Sequence, residues 1–112
     1  MTQAELETAL KTTGYPVAYH DFKVNDNNPP PTPPFITYLR SFDTNISSDF
    51  LVHGKFKNYQ IELYTIKKDL TAEQKVEAVL DKIDPDYETS ETYVESESLY
   101  QVVYQIKLVE KR

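Results

Sequence analysis

The sequence predicts an α+β fold in which two helices pack on one mixed, mostly antiparallel sheet of about five strands. Two segments have the apolar spacing of amphipathic helices, and five others have the composition and alternation of half-buried strands. Their order along the chain is αβββαββ. A length of 112 residues suits a single core, so we expect residues 1–112 to form one domain.

The first helix is predicted at the start of the sequence. Thr2 and Glu5 have the spacing of a capping box, in which each side chain bonds to the backbone of the other residue. Leu6, Ala9 and Leu10 then form an apolar stripe. Gly14 stands where a glycine commonly ends a helix, because glycine adopts positive φ without strain.

Two short strands follow, with a proline-rich segment between them. The alternation of Val17 and Tyr19 predicts a strand at 17–22, and β-branched and aromatic residues predict another at 35–41. Since proline lacks an amide hydrogen and fixes φ, residues 25–34 are predicted to form an extended loop or arm. The segment is either a docking arm or a solvent-exposed crossover. As an arm, its candidate interface residues are Pro29, Pro30, Pro31, Pro33, Pro34 and Phe35.

The clearest strand and the clearest helix come next. Tyr59, Ile61 and Leu63 share one face of a strand, and Gly54 predicts a bulge or bend between that strand and residues 50–53. The helix is predicted to begin at a capping box of Thr71 and Gln74 and to end before Pro85. Its apolar stripe has helical spacing and consists of Val76, Val79, Leu80 and Ile83.

A final hairpin is predicted over residues 91–109, with its turn near residues 95–98. Alternation along its second strand places Tyr100, Val102, Tyr104, Ile106 and Leu108 on one face. The core is then expected where this strand, the earlier strands and both helices present their apolar faces. The predicted core residues are Leu6, Leu10, Ile36, Ile61, Leu63, Val76, Val79, Leu80, Tyr104 and Ile106.

Negative charge is concentrated in residues 81–97. This segment holds seven acidic residues against Lys82 alone, while the whole chain has a net charge of −6. Binding to DNA phosphate needs the opposite sign, so we expect no sequence-specific nucleic-acid binding. The segment is either a solvated hairpin or an acidic surface that faces a polymer which must not adhere. The candidate residues for such a surface are Glu88, Glu91 and Glu95.

Groups for catalysis or cofactor binding are scarce. The chain has no cysteine, and its two histidines, His20 and His53, are too few for a usual zinc site and lie beside no nucleophile motif. With two glycines, it has no glycine-rich phosphate loop. We therefore expect a non-enzymatic protein without cofactor or metal. The sequence also lacks the run of about 20 apolar residues that a membrane-spanning helix needs.

Four segments together resemble a family of small phage and prophage proteins of Gram-positive bacteria. They read TGYPVAYHDF, PPFITYL, YQIELYTIKKDLTAEQKVEAVLD and SETYVESESLYQVVYQIKL. The family is the tail-completion or tail-terminator group, and the resemblance spans residues 6–108. It implies a non-enzymatic subunit that forms a ring, typically hexameric, which caps the tail tube and meets the head connector. The expected location is the bacterial host cytoplasm during assembly and then the virion tail.

A second class of function stays open on the residues alone. A prophage-encoded monomer with an acidic face would suit a binding or regulatory module, for instance one that sequesters a host protein. A measurement of oligomeric state distinguishes the two classes of function only if it finds a ring. A hexamer supports the ring, whereas a monomer fits both classes, because tail subunits can assemble only on the tail.

Overall fold

The computed structural model describes residues 1–23, 27, 29–41 and 55–110. Within them the predicted α+β class and element order are confirmed. The elements are α1 (Gln3–Lys11), β1 (Val17–Tyr19), β2 (Phe35–Arg40), β3 (Lys55–Thr65), α2 (Leu70–Leu80), β4 (Glu88–Val94) and β5 (Leu99–Glu110). The strand segment predicted at residues 50–53, the bend at Gly54 and part of the predicted arm lie outside the described residues, as does His53.

The strands form one mixed sheet in the order β1-β2-β3-β5-β4. β1 pairs with β2 in parallel, and the other three pairings are antiparallel. The ladder between β3 and β5 is the longest and pairs residues 55–65 with residues 100–110. The two long strands therefore lie in the interior of the sheet, and β1 and β4 form its edges.

Both helices pack on the same face of the sheet. Tyr38, Ile61 and Tyr104 are paired across β2, β3 and β5, so their side chains share a face. The Tyr38 hydroxyl donates to Glu7 of α1 at 2.8 Å, and the Tyr104 hydroxyl donates to Glu77 of α2 at 2.9 Å. We call this side the helical face.

The opposite side, which we call the open face, is covered by no helix among the described residues. Along each strand, successive side chains point to opposite sides of the sheet, so the residues between those of the helical face belong to the open face. Its members include Phe35, Thr37, Leu39, Gln60, Glu62, Tyr64, Glu88, Ser90, Thr92, Gln101, Val103 and Gln105.

The core lies between the helical face and the two helices. Nine of the ten predicted core residues are buried, and the tenth, Val79, is half-buried and packs against the others. The two helices contribute Leu6, Leu10, Val76 and Leu80, each fully buried. Core residues beyond the prediction are Tyr38, Tyr59, Ala72, Val102 and Leu108.

The predicted start of α1 is confirmed, and its end differs slightly. The capping box is formed, since the Glu5 amide donates to Thr2 Oγ1 at 3.2 Å and the Thr2 amide donates to Glu5 Oε1 at 2.9 Å. The cap at the C-terminus is Thr12, and Gly14 follows in the next turn with φ of 88°. Gly14 therefore has the predicted positive φ, but it lies two residues after the cap.

The capping box predicted for α2 is wrong. The helix begins at Leu70, and its N-cap is Asp69, whose side chain accepts from the Ala72 amide at 3.0 Å. An N-cap residue needs extended backbone, which Asp69 has with φ of −130° and ψ of 91°. Thr71 is already inside the helix, so its hydroxyl is not in the capping position.

Two other boundaries show how local backbone geometry ends a strand. β1 stops at Tyr19 and not near Phe22, because His20 has φ of 69° and leaves the extended conformation. The predicted hairpin turn is confirmed, with a 3₁₀ turn at Glu95–Glu97 and Ser98 at φ of 54°. β4 and β5 are therefore joined by a tight connection.

Candidate interaction surfaces

The structure distributes the three candidate acidic residues over different sides of the sheet. Glu88 pairs with Gln105 and lies on the open face, whereas Glu91 pairs with Val102 and lies on the helical face. Glu95 is in the 3₁₀ turn at the tip of the hairpin. All three are exposed, but they do not form one continuous acidic surface.

Glu91 is engaged in an ion-pair bridge, which sets it apart from the other two. Lys68 lies in the loop before α2, and its ammonium contacts both Glu73 of α2, at 2.9 Å, and Glu91 of β4. The hydrogen bond to Glu91, and then the one to Glu73, raise the pKa of Lys68 above its ordinary value. The bridge therefore fastens the edge strand to the first turn of α2.

Asp84 also has a structural role within the acidic segment. One carboxylate oxygen accepts from the amide of Lys107 on β5 at 2.9 Å, and the other accepts from the amide of Asp86 at 3.1 Å. The carboxylate thus holds the turn after α2 against the sheet. Glu88 and Glu95 are exposed, and neither carboxylate forms an ion pair with a cationic side chain among the described residues.

The described part of the proline-rich segment changes from exposed to half-buried as it approaches β2. Pro29 and Pro30 are exposed, while Pro31, Pro33 and Pro34 are half-buried. Phe35, which follows them, stacks on Tyr64 with ring centroids 5.1 Å apart and meets the edge of Phe22 at 5.4 Å. The C-terminal part of the segment therefore packs on the chain's own sheet, and the accessible prolines are Pro29 and Pro30.

A hydrogen-bonded network of polar side chains crosses the open face, and we call it the polar network. Its centre is Glu62, which is 8% exposed. One carboxylate oxygen accepts from Thr37 at 2.9 Å, and the other accepts from Gln60 at 3.0 Å and from Gln101 at 2.9 Å. Three neutral donors, one each from β2, β3 and β5, therefore hydrogen-bond to the Glu62 carboxylate.

The polar network extends to both sides of Glu62. The Gln101 amide also donates to the Tyr64 hydroxyl at 2.9 Å, and Gln105 donates to the Gln60 carbonyl at 2.8 Å. Burial raises the pKa of Tyr64 and the charge of Glu62 raises it further. The result is a surface on which polar groups from β2, β3 and β5 are fixed relative to one another by hydrogen bonds.

A groove lies between the C-terminal end of α1 and α2. Its lining consists of Thr12, Thr13, Lys75, Ala78, Val79 and Lys82. Lys75 also lies over the Tyr15 ring, 5.2 Å from the ring centre. The lining brings together hydroxyl, ammonium and methyl groups but no acid–base pair. In the described part of the chain, no cluster of three or more His, Cys, Asp or Glu is placed to hold a metal.

No protein-family model matches the chain, and no curated protein matches it significantly. In the described ranges no helix is long and apolar enough to cross a membrane.

The sequence indicated the faces of the strands but did not reveal the polar network. Gln60, Glu62 and Tyr64 alternate in β3, as Gln101 and Gln105 do in β5, which is the available signal. Their contacts depend on the register between β3 and β5, which alternation alone does not determine. The Lys68 bridge was missed for a similar reason, because Lys68 and Glu91 are far apart in the sequence.

Proposed function

We propose that this chain is a phage virion-assembly protein, a tail-terminator or tail-completion subunit that forms a ring at the head–tail junction. In this proposal its partners are further copies of itself, in a ring of six, together with the tail tube and the head connector. It acts by occupying a position in the particle and not by catalysis. The resemblance of residues 6–108 to that group supports the assignment.

The structural observation that carries the proposal is the polar network on the open face. Small-molecule sites are usually lined mainly by apolar side chains, whereas this face carries hydrogen-bonded amides, a carboxylate and hydroxyls. Side chains that are already fixed lose little conformational entropy on docking. A surface of this kind suits contact with another protein.

The exposed acids at the hairpin suit the same role. A ring at the end of a tail tube encloses the path of the DNA, and negative side chains that face this path repel the phosphates. Glu88 and Glu95 are exposed on the edge strand and at the hairpin tip. These charges also support the second candidate, a monomeric acidic binding or regulatory module.

The two candidates differ in what happens when the gene is removed from its phage. A tail tube without its cap has no stop to polymerisation, so deletion should give over-long tubes that are not joined to heads in electron micrographs. Expression of the intact chain from a plasmid should restore normal length. Normal tails joined to heads after deletion would contradict the assembly role and favour the binding module.

A further inference from the structure

We infer that copies of this chain join edge to edge, with β4 of one subunit adding as an antiparallel strand to β1 of the next. Tyr93 of β4 and Tyr19 of β1 meet across this contact. The inference rests on the proposed function, since a ring requires a contact between two different surfaces of the subunit, and it names those surfaces.

The β4 edge is suited to strand addition. β4 pairs with β5 on one side only, and its register runs without a bulge from Glu88 opposite Gln105 to Val94 opposite Leu99. Charged side chains, especially lysine, as well as proline and bulges commonly prevent pairing at a sheet edge, and of these β4 has only the two glutamates Glu88 and Glu91. β4 has the sequence ETSETYV and contains neither lysine nor proline. Among the described strands, only β5 pairs with β4, so the outer edge of β4 is available to a partner strand.

The β1 edge offers matching backbone groups. The Pro16 carbonyl accepts from Ile36 at 2.8 Å and the His20 amide donates to Tyr38 at 2.7 Å, so these positions face β2. By alternation, Val17 and Tyr19 direct their backbone groups away from the sheet. The Tyr19 carbonyl accepts from the Asp21 amide at 2.8 Å. Both backbone groups of Val17 and the amide of Tyr19 point outward, and none of them pairs with another strand among the described residues.

Strand direction makes the two edges compatible. β1 and β2 are parallel, and each of the three following pairings in the sheet is antiparallel, so β4 runs opposite to β1. Two copies placed side by side in the same orientation therefore bring β4 against β1 as an antiparallel pair. A contact of this heterologous kind produces a ring when the rotation between subunits closes.

Exposed tyrosines mark both edges on the same side of the sheet. Tyr19 is 43% exposed and Tyr93 is 46% exposed. Tyr19 pairs with Tyr38, and Tyr93 pairs with Tyr100, which places both on the helical face. Their inner sides pack on those partners, with ring centroids 5.1 Å and 4.9 Å apart. Tyrosine is enriched at protein interfaces, where its ring is buried and its hydroxyl finds a partner.

The charges on β4 favour pairing with β1 of a second subunit over pairing with β4 of a second subunit. Two β4 strands paired with each other would bring Glu88 and Glu91 of both subunits into neighbouring strands, and like charges in such positions are destabilising. Residues 15–19, which contain β1, carry no charge. The acidic edge therefore meets a neutral edge in the proposed contact.

The absence of cysteine from the chain makes a direct test possible. Tyr19→Cys and Tyr93→Cys are prepared as separate variants that carry tags of different size, mixed at high protein concentration in the presence of tail tubes and treated with a short bismaleimide crosslinker. We expect a mixed dimer as the main product. A chain with both substitutions should give a ladder of crosslinked species that ends at the ring number. The control pair is Tyr93→Cys with Gln74→Cys, because Gln74 is exposed on α2.

A mixed product no more abundant than that of the control pair would overturn the inference. A dominant homodimer of the Tyr93→Cys variant would also overturn it, because β4 would then pair with itself. Sedimentation of the unsubstituted chain, with and without tail tubes, tests the proposed function in parallel. Rings without the mixed crosslink would refute only the edge contact. The crosslink in open chains would support the contact and contradict the ring.

Discussion

The Glu62 carboxylate is the central hydrogen-bond acceptor of the polar network, so its contribution to stability can be measured by a single substitution. Its carboxylate accepts from Thr37, Gln60 and Gln101. In Glu62→Gln one oxygen becomes an amide nitrogen, which can accept from none of these donors, and the remaining oxygen is an uncharged, weaker acceptor. Because a buried group that loses its partner costs about 1–3 kcal/mol, we expect the free energy of unfolding to fall by that amount in urea denaturation.

A matched control is available on the same open face. Glu88→Gln makes the same chemical change at an exposed position. Substitutions at such positions usually alter stability by no more than about 0.5 kcal/mol. Equal, small effects of the two substitutions would show that the polar network contributes nothing to stability.

Tyr38 connects the sheet to α1 in a pH-dependent way. Burial, and then the hydrogen bond to Glu7, raise the pKa of Tyr38 to about 12, above the ordinary value of 10.0. Since the folded-state pKa is raised, the stabilisation is fully present below pH 10 and is lost as the pH rises through 12. We expect the free energy of unfolding to decline over this interval.

Tyr38→Phe tests this link. The substitution removes the donor to Glu7, so it should lower stability at pH 7 by about 0.5–1.5 kcal/mol and flatten the decline at alkaline pH. The measurement is chemical denaturation at a series of pH values. If the variant keeps the same alkaline slope as the parent chain, another group is responsible for it.

At the scale of elements, the start of α2 depends on Asp69. Its side chain accepts from the Ala72 amide, and loss of such a cap costs about 0.5–2 kcal/mol. We expect this loss of stability for Asp69→Ala in thermal or urea denaturation. Thr71→Ala, two positions further on and exposed inside the helix, should be close to neutral. The reverse order of effects would restore Thr71 as the cap.

The elements were predictable where local spacing determines them. The stripe of Val76 and Leu80 placed α2, and the alternation of Tyr59, Ile61 and Leu63 placed β3 on the core. The cap of α2 was not predictable with the same reliability, because Asp69 and Thr71 both have capping side chains and only the backbone conformation separates them. β1 ended early because of positive φ at His20, which spacing does not encode.

The candidate surfaces were less predictable than the core. The sequence placed Glu88, Glu91 and Glu95 in one acidic group, but strand alternation separates the first two and Lys68 engages the second. The exposed tyrosines at the sheet edges became visible only once the strand order was known. Surface arrangement depends on long-range pairing, while the core depends mainly on periodicity.

At the scale of the whole molecule, the charged hairpin can be tested without disturbing the Lys68 bridge. Glu88→Gln combined with Glu95→Gln removes two exposed charges and leaves Glu91 in place. If these charges face the DNA path, weaker repulsion should slow or stall DNA ejection from assembled particles with normal tails. The measurement is the rate of DNA release.

Glu91→Gln is the comparison for this experiment. It also removes one negative charge, but it weakens the contact with Lys68 and should act first on stability. Unchanged ejection by the double variant would show that the hairpin does not face the DNA.

The position of β5 inside the sheet also constrains the order in which the chain can fold during its synthesis. β3 has β2 on one side, but its other partner is β5, and their ladder joins residues 55–65 to residues 100–110. Until residue 110 has left the ribosome, the apolar residues of β3 lack half of their sheet partners. Contacts this far apart in sequence form late. The nascent chain therefore exposes an unpaired, aggregation-prone strand until β5 has been synthesised, and the sheet is completed only after that strand has left the ribosome.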